Sequence, residues 1–252
     1  MMRYLLQRHP FSAAAYFRRC LVITYAFPSE ILKPLLAPGL VLDAYAGYGF
    51  LAVALVQTQQ LRPSFLPAAL GRDFFLGGYR IFTRLQNQAR SLRGLQILRS
   101  LTDKRSMVRT GNLFTHYQYR LCEVEVLEGP DAIRWRIRTP KQEADLDVAV
   151  DMRSGPAPLP PGSPFADEKS ARRFAGPLPY TFDYEPETHS IICVRGVRAS
   201  WSPQPVAVSV SRNTFLQREP FCRATPILAT CFHVHDVAYK WARGVRIQLW
   251  AR

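Results

Sequence analysis

The stretch Leu121-Cys-Glu-Val-Glu-Val-Leu-Glu-Gly-Pro-Asp-Ala-Ile-Arg-Trp-Arg-Ile-Arg138 decides the fold class. Apolar and charged side chains alternate with period 2 on both sides of Glu128-Gly129-Pro130-Asp131, the pattern of two half-buried antiparallel strands and a turn. Folded at that turn, Cys122, Val124 and Val126 face Ile137, Trp135 and Ile133, while Glu123 and Glu125 oppose Arg136 and Arg134. A third run, Asp145 to Asp151, directs Leu146, Val148 and Val150 inward and offers Asp145 and Asp147 to Arg138 and Arg136. The result is an antiparallel meander whose outer face is a ladder of opposite charges, each pair worth roughly 0.2–1 kcal/mol.

Upstream, residues 20 to 27 read as a buried strand stopped by Pro28, followed by a short helix from Glu30 to Leu36 that Ser29 caps and Pro38-Gly39 ends. Leu40 to Tyr45 is a short strand, and Tyr48 to Gln57, apolar on both faces, belongs in the middle of a sheet. Asp73 to Leu85 and Leu92 to Leu101 follow, joined by a polar loop from Gln86 to Ser91, and Gly77-Gly78 marks a bulge or a close backbone approach. Unbroken alternation puts Leu95, Ile97, Arg99 and Leu101 on one face. Arg99 on an apolar face requires either a partner carboxylate or an anionic ligand.

Downstream, Ser154 to Pro164 is a proline-rich loop, and Ser163-Pro164 predicts a helix start, with the helix running to about Ala175 before Gly176-Pro177. Ser190 to Ser200, Pro205 to Phe215, Ile227 to Val234 and Val237 to Trp250 read as four more strands. No repeat or linker divides the chain, so a single domain over residues 1–252 is expected.

Hydrophobic residues make up 48% of the chain, ample for a core, and the longest apolar run, near Tyr48 to Val56, is about half of what a membrane span needs. Arg18 and Arg19 interrupt the region where a signal peptide needs a continuous apolar stretch. Five cysteines without a Cys-x-x-Cys pair read as reduced thiols, and together these features predict a soluble bacterial protein of the cytoplasm. The net charge of +14 comes from 28 arginines and five lysines scattered without a basic block. That distribution argues against nucleic acid as a partner, kept as an alternative that predicts affinity falling steeply with salt, and no membrane partner is expected.

Asp103 to Arg120 concentrates titratable groups between strand-like runs. It reads as a short helix to about Thr110, closed by Gly111 and Asn112 in left-handed conformation, after which His116, Tyr117 and Tyr119 lead into a strand. Cys231, His233 and His235 share one strand face, a spacing able to chelate zinc, but no further ligand is signposted and no metal site is assigned. No phosphate loop, dinucleotide fingerprint or nucleophile elbow is present, and no cofactor is expected.

Tyr25-Ala-Phe-Pro28, Glu30-Ile-Leu, Leu35-Leu-Ala-Pro-Gly-Leu40, Leu42-Asp43, Gly47-Tyr-Gly-Phe50 and Val53 together resemble the opening of the acetoacetate-decarboxylase-like superfamily, nearest to an uncharacterised bacterial branch, the domain of unknown function 2071. Gly176-Pro-Leu-Pro-Tyr-Thr-Phe and Trp201 are compatible, so the resemblance covers about residues 10 to 250. It implies a mainly β (α+β) protein whose antiparallel sheet closes into a cone-shaped β-barrel with a central pocket, a few short flanking helices and a tendency to form homo-oligomers. The superfamily's Gly-Arg-Glu-x-x-Gly-x-Pro-Lys-Lys signature, laid from Gly111, keeps only that glycine. Tyr119 takes the place of the nucleophilic lysine and Arg120 that of its neighbour. In the branch's strand motif, Leu76 and Gly78 depart and Arg80 is kept.

An imine needs an amine, so Schiff-base decarboxylation is not expected. The resemblance implies instead a pocket for a small carboxylate or carbonyl compound, with Arg80 and Arg99 as anion anchors and Asn112 and Tyr117 as polar ligand-binding groups. His116 would serve as general acid or base and Tyr119 as proton or hydrogen-bond donor in a lyase-like or hydrolase-like reaction. A non-catalytic ligand-binding or sensing barrel remains the alternative. Without catalysis, His116 is a core histidine.

Overall fold

A computed structural model describes residues 3–87, 90–153 and 155–249. Its strands in chain order are β1 (Ala13–Pro28), β2 (Leu40–Leu42), β3 (Tyr48–Pro63), β4 (Arg72–Asn87), β5 (Arg90–Thr102), β6 (Tyr119–Leu121), β7 (Glu123–Glu128), β8 (Ala132–Arg138), β9 (Leu146–Asp151), β10 (Tyr180–Glu185), β11 (Ser190–Arg198), β12 (Gln204–Pro205), β13 (Val208–Asn213), β14 (Ile227–Trp241) and β15 (Val245–Gln248). Four short α-helices join them: α1 (Arg3–Leu6), α2 (Ser29–Leu32), α3 (Arg105–Phe114) and α4 (Glu168–Ala175). No helix among the described residues is long and apolar enough to cross a membrane.

The large sheet runs β14-β1-β3-β4-β5-β10-β11, and β11 pairs again with β14, so the pairings return on themselves as a ring. Most neighbours are antiparallel. The short contacts of β5 with β6 and with β10 are parallel, a departure from the wholly antiparallel expectation. The second sheet, β13-β9-β8-β7, is the predicted meander with one strand added. Its β8–β9 register matches the expectation, with Arg136 opposite Asp147. The β7–β8 register is displaced by two residues: Glu125 lies opposite Arg136 and Val126 opposite Trp135, because the turn is the tighter Pro130-Asp131. A two-residue slip leaves every side chain on its own face, so the burial pattern survives.

The meander covers the outside of the ring. Ile133, Trp135, Ile137, Leu146, Val148 and Val150 interlock with Leu21, Ile23, Leu51, Val53, Leu55 and Tyr79 in one core cluster. The alternate residues of β1, β3 and β4 point into the ring, where Phe17, Cys20, Val56, Leu76, Phe232 and Val237 form a second cluster. These strands are thus covered on both sides, which is why Tyr48 to Gln57 reads apolar throughout. α4 closes one region of the interior through Ala171 and Ala175, against Phe50 and Phe82. Its cap is Asp167 in a reciprocal box with Ser170, rather than Ser163, whose hydroxyl instead donates to the Ala229 carbonyl at 2.7 Å.

Several boundaries differ from expectation for local reasons. β1 begins at Ala13 and β3 runs on to Pro63, lengthened by mutual pairing that their small and polar ends do not advertise. The helix after Pro28 is a single α turn followed by a 3-10 turn at Lys33–Leu35, since Pro34 offers no N–H to continue it. The β4–β5 hairpin is tighter than a loop from Gln86 to Ser91, whose residues 88–89 lie outside the described residues. The break expected between Val234 and Val237 falls instead between β14 and β15, after Trp241: Asp236, at φ 57°, resets the alternation within β14 so that Val234 and Val237 both face the interior. Its carboxylate accepts hydrogen bonds from the Tyr16 hydroxyl at 2.7 Å and from His235 Nδ1 at 2.9 Å.

α3 extends to Phe114, with Gly111 inside it rather than at its end. A Cβ on Gly111 would lie 2.4 Å from the Tyr119 ring, so the glycine is a seat for that ring, not a cap. Asn112 fixes the other side: Oδ1 accepts from the Tyr119 N–H at 2.7 Å and Nδ2 donates to the Tyr119 carbonyl at 3.0 Å. Gly111→Ala gains about 1 kcal/mol of helix propensity but overpacks a ring that cannot retreat, at roughly 1–3 kcal/mol. Urea denaturation should therefore show a net loss of stability, and a more stable variant would refute the seat.

His233 is 4% exposed and neither ring nitrogen has a hydrogen-bond partner among the described residues. No three His, Cys, Asp or Glu side chains among those residues converge on a metal-sized point. Burial lowers its pKa to about 4, with Arg19 and His235 acting in the same direction. The unfolded chain takes up a proton near pH 6.5 that folded His233 refuses until about 4, so stability falls as pH drops through that window. His233→Phe should flatten this part of the pH–stability curve. An unchanged slope in denaturation series from pH 7 to 4 would contradict it.

Candidate functional site

Across the inner face of β1, β3, β4 and β5, the paired residues Val22, Ala54, Gly78 and Ser100 form a row of small side chains. They leave an interior cavity of ≈ 120 Å³, bounded also by Phe17, Ile97, Phe232, Tyr239 and Trp241. That is well below the roughly 300–1,000 Å³ of sites for drug-sized ligands. Arg80 projects into this space. A Cβ on Gly78 would sit 3.6 Å from Arg80 Nε and Nη2, so the guanidinium lies back over the glycine. Arg80 Nε is buried and has no hydrogen-bond partner among the described residues.

A second guanidinium borders the cavity. Arg198 donates from Nη2 to the Leu178 carbonyl at 3.1 Å and lies over the rings of Trp201 and Tyr239, at 5.1 and 5.6 Å from their centroids. The two cations are felt by their neighbours: burial pushes the Cys20 thiol up to about 12, and both arginines oppose that rise. Tyr117 shares a 2.8 Å hydrogen bond with Thr181, and Tyr119 stands on its Gly111 seat. Burial raises both phenols, against Arg80 in the case of Tyr119, so each is a neutral hydrogen-bonding group at pH 7.

Outside this compartment, and sharing Ile97 and Tyr119 with it, is an open cleft of ≈ 770 Å³. His116 and Asn112 line it with Asp183 and Gln96. His116 Nε2 is 3.8 Å from Glu185 Oε2, too far for a hydrogen bond, and is buried without a partner among the described residues. Burial lowers its pKa while Glu185 pulls the other way. Glu185 is fully buried and committed to Arg8, which donates from Nε and Nη2 at 2.8 and 2.6 Å, and to the Thr188 hydroxyl.

Of the residues singled out from sequence, Arg80, Tyr117 and Tyr119 meet at the cavity, while His116 and Asn112 reach only the cleft. Asn112 spends its amide on the Tyr119 backbone and so acts on position rather than on a ligand. Arg99 joins neither space. A bulge sets Tyr79 opposite Arg99 but Arg80 opposite Ile97, which turns Arg99 to the outer face, where Nη1 donates to Glu143 Oε1 at 2.9 Å. The partner carboxylate, not the ligand, satisfies its charge. No lysine lines the interior cavity: Lys240 is exposed on the opposite face from Tyr239, and Lys104 pairs with Asp103 at 3.2 Å. Arg198 and Asp183 were missed; the one visible signal was an aspartate amid the aromatic residues of Tyr180–Glu185.

The fold has solved counterparts. An acetoacetate decarboxylase-like enzyme from Sphingomonas wittichii RW1 is similar at TM-score 0.63 and 12% identity, covering 96% of this chain and 94% of its own. The acetoacetate decarboxylase of Legionella pneumophila subsp. pneumophila str. Philadelphia 1 is similar at 0.61 and 10%, covering 93% and 87%. The enduracididine biosynthesis enzyme MppR, complexed with pyruvate, is similar at 0.58 and 11%, covering 94% and 90%. At such identities the likeness is one of fold. Among curated proteins no sequence match is found. Residues 14–236 match the domain of unknown function 2071, described as an uncharacterized conserved protein, and the chain belongs to that family.

Proposed function

We propose that the ring closes, as one domain, into a cone-shaped barrel whose interior binds a small carboxylate-bearing or carbonyl compound. The observation that carries this is Arg80, a guanidinium turned into an interior, mostly apolar cavity with its buried Nε unpartnered among the described residues. Leaving such a group unsatisfied is costly, and a carboxylate matches its fork geometry. Arg198 supplies a second cation, and Tyr117 and Tyr119 supply hydroxyls. MppR, a protein of similar fold, is complexed with pyruvate, and this supports a ligand of that kind here. The five cysteines are free thiols, which supports a reducing compartment such as the cytoplasm.

As an enzyme, this site would work by positioning and proton transfer, of lyase or hydrolase type, with His116 at the cleft as the acid or base and Tyr119 as donor. A non-catalytic sensor is the second reading, favoured by the phenol of Tyr119 standing where the superfamily's signature has its nucleophilic amine. Turnover assays on acids that bind separate the two.

Arg80→Met should weaken binding of acetate, propionate or pyruvate about 10–100-fold, the worth of a charge-assisted hydrogen bond, in thermal-shift or calorimetric titrations. No binding of any small carboxylate by the wild-type chain, or equal binding by the variant, would overturn the assignment. Borohydride added with acetoacetate or pyruvate should trap no adduct, because no lysine borders the cavity. A mass increase mapping to Lys104 or Lys240 would restore imine chemistry.

A further inference from the structure

The strand face that carries Cys231, His233 and His235 lies on the outside of the ring, where Cys231 joins the core under the meander. Pairing register crowds bases together there. Arg19 on β1 is directly opposite His235 on β14, Leu21 is opposite His233, and Gln204 on β12 meets His233 from the other side. Opposed side chains start about 4.5–5.5 Å apart and diagonal ones about 7–8 Å, so both imidazoles are within reach of Arg19. The two rings are 6.1 Å apart. Ile133 and Met152, at the end of the meander, wall the spot into a cleft of ≈ 270 Å³ that Arg18, Arg19, His233 and His235 line. Three nitrogens there are buried without a hydrogen-bond partner among the described residues: Nη1 of Arg19 and both ring nitrogens of His233.

The acids nearby do not serve these nitrogens. Glu128 is shared by Arg19 Nη2 at 2.9 Å and Arg18 Nη2 at 3.8 Å, one carboxylate between two cations, and Asp236 accepts from Tyr16 and His235. Burial, Arg19 and His235 all hold a proton off His233, so the charges acting on that ring are positive. Such a field repels a metal ion and attracts an anion. We propose that the cleft is a second binding site, outside the interior cavity, for a small tetrahedral oxyanion of the sulfate or phosphate type, with Arg19 Nη1 and a His233 ring N–H as its buried donors. The shape follows from the donors. A carboxylate suits two parallel N–H groups of one guanidinium, but Glu128 already holds one nitrogen of Arg19. The donors left over come from two strands, and a tetrahedron of acceptor oxygens matches them better than a planar group does. At ≈ 270 Å³ the cleft is smaller than sites for drug-sized ligands, which suits an inorganic ion. This site is independent of the carboxylate binding proposed above.

The test follows the imidazole C–H resonance of His233 in the full chain, identified by its loss in His233→Phe, while sodium sulfate replaces sodium chloride at constant ionic strength. The resonance should shift and saturate with sulfate, and acetate should move it far less. Bound sulfate brings negative charge to a ring now surrounded by Arg18, Arg19, His235, Glu128 and Asp236, so the pH midpoint of the resonance should rise from about 4. Arg19→Lys keeps a cation for Glu128 but has no second nitrogen for the ion, and should need about tenfold more sulfate for half-saturation. Arg223→Ala, at an exposed arginine paired with Glu219, should stay within about threefold of wild type. No shift, a shift that never saturates, or an equal response to acetate overturns the site. An unmoved pH midpoint removes His233 from it, and unchanged saturation in Arg19→Lys removes Arg19. Should Arg19→Lys fail to fold, the wild-type titrations with sulfate, acetate and pH decide alone.

Discussion

The site depends on a steric constraint: a row of small side chains laid across four neighbouring strands. Val22, Ala54, Gly78 and Ser100 are paired in register through β1, β3, β4 and β5, so their deficit of volume falls in one place. Interiors are normally packed to the density of organic crystals, and a gap of this kind is expensive to keep. Here the flanking residues are large, among them Phe17, Phe232 and Trp241, and they cannot collapse into the row because the strands beneath are fixed from outside by the meander. The outer sheet therefore does more than cover apolar surface. It holds the inner face open.

The electrostatics follow from the same geometry. A guanidinium needs either water or an acid, and the half-buried arginines of this chain mostly have an acid: Arg84 and Arg93 share the buried Asp43 at 2.6 and 2.7 Å, Arg138 and Arg212 take Asp147 and Asp145 at 2.7 and 3.0 Å, and Arg8 takes Glu185. Arg19 and Arg212 also bury an unpartnered nitrogen, but each pairs with a carboxylate through another, whereas Arg80 has neither ion pair nor hydrogen bond among the described residues. Such pairs leave the net charge of +14 untouched, and Arg80 and Arg198 are the part of that surplus turned toward the cavity.

Much of the fold was legible because it depends on side-chain alternation. The meander's faces could be read from Val124 to Val150, and even the displaced register kept them, since only the turn at Pro130-Asp131 was misjudged. What alternation cannot show is where it breaks. The bulge opposite Tyr79 moved Arg99 out of the site, and the left-handed Asp236 carried one strand through the expected break, which falls after Trp241 instead. Gly111 was misread for a related reason: a glycine near a helix end resembles a cap, and only the Tyr119 ring, brought back by the chain reversal, reveals it as a seat. Arg80 and Tyr119 were reachable from local motif and family likeness. Arg198 and Asp183 were not, because their places at the cavity and the cleft are created by the pairings of β10 with β5 and β11 with β14, which no local pattern announces.

One of those pairings has a consequence in time. β1 lies between β3, its near neighbour in sequence, and β14, so that Ala13 meets Trp241 across nearly the whole chain. The hairpins from β3 to β5 and the meander are local and can form as the polypeptide leaves the ribosome, but the wall that carries Phe232, Tyr239 and Trp241 arrives only with residues 227–241. Until then the inner faces of β1, β3 and β4 are an open apolar sheet with an unsatisfied edge. Completion of that wall creates the interior cavity and removes this aggregation-prone surface in the same event, so the cavity is among the last features the nascent protein acquires.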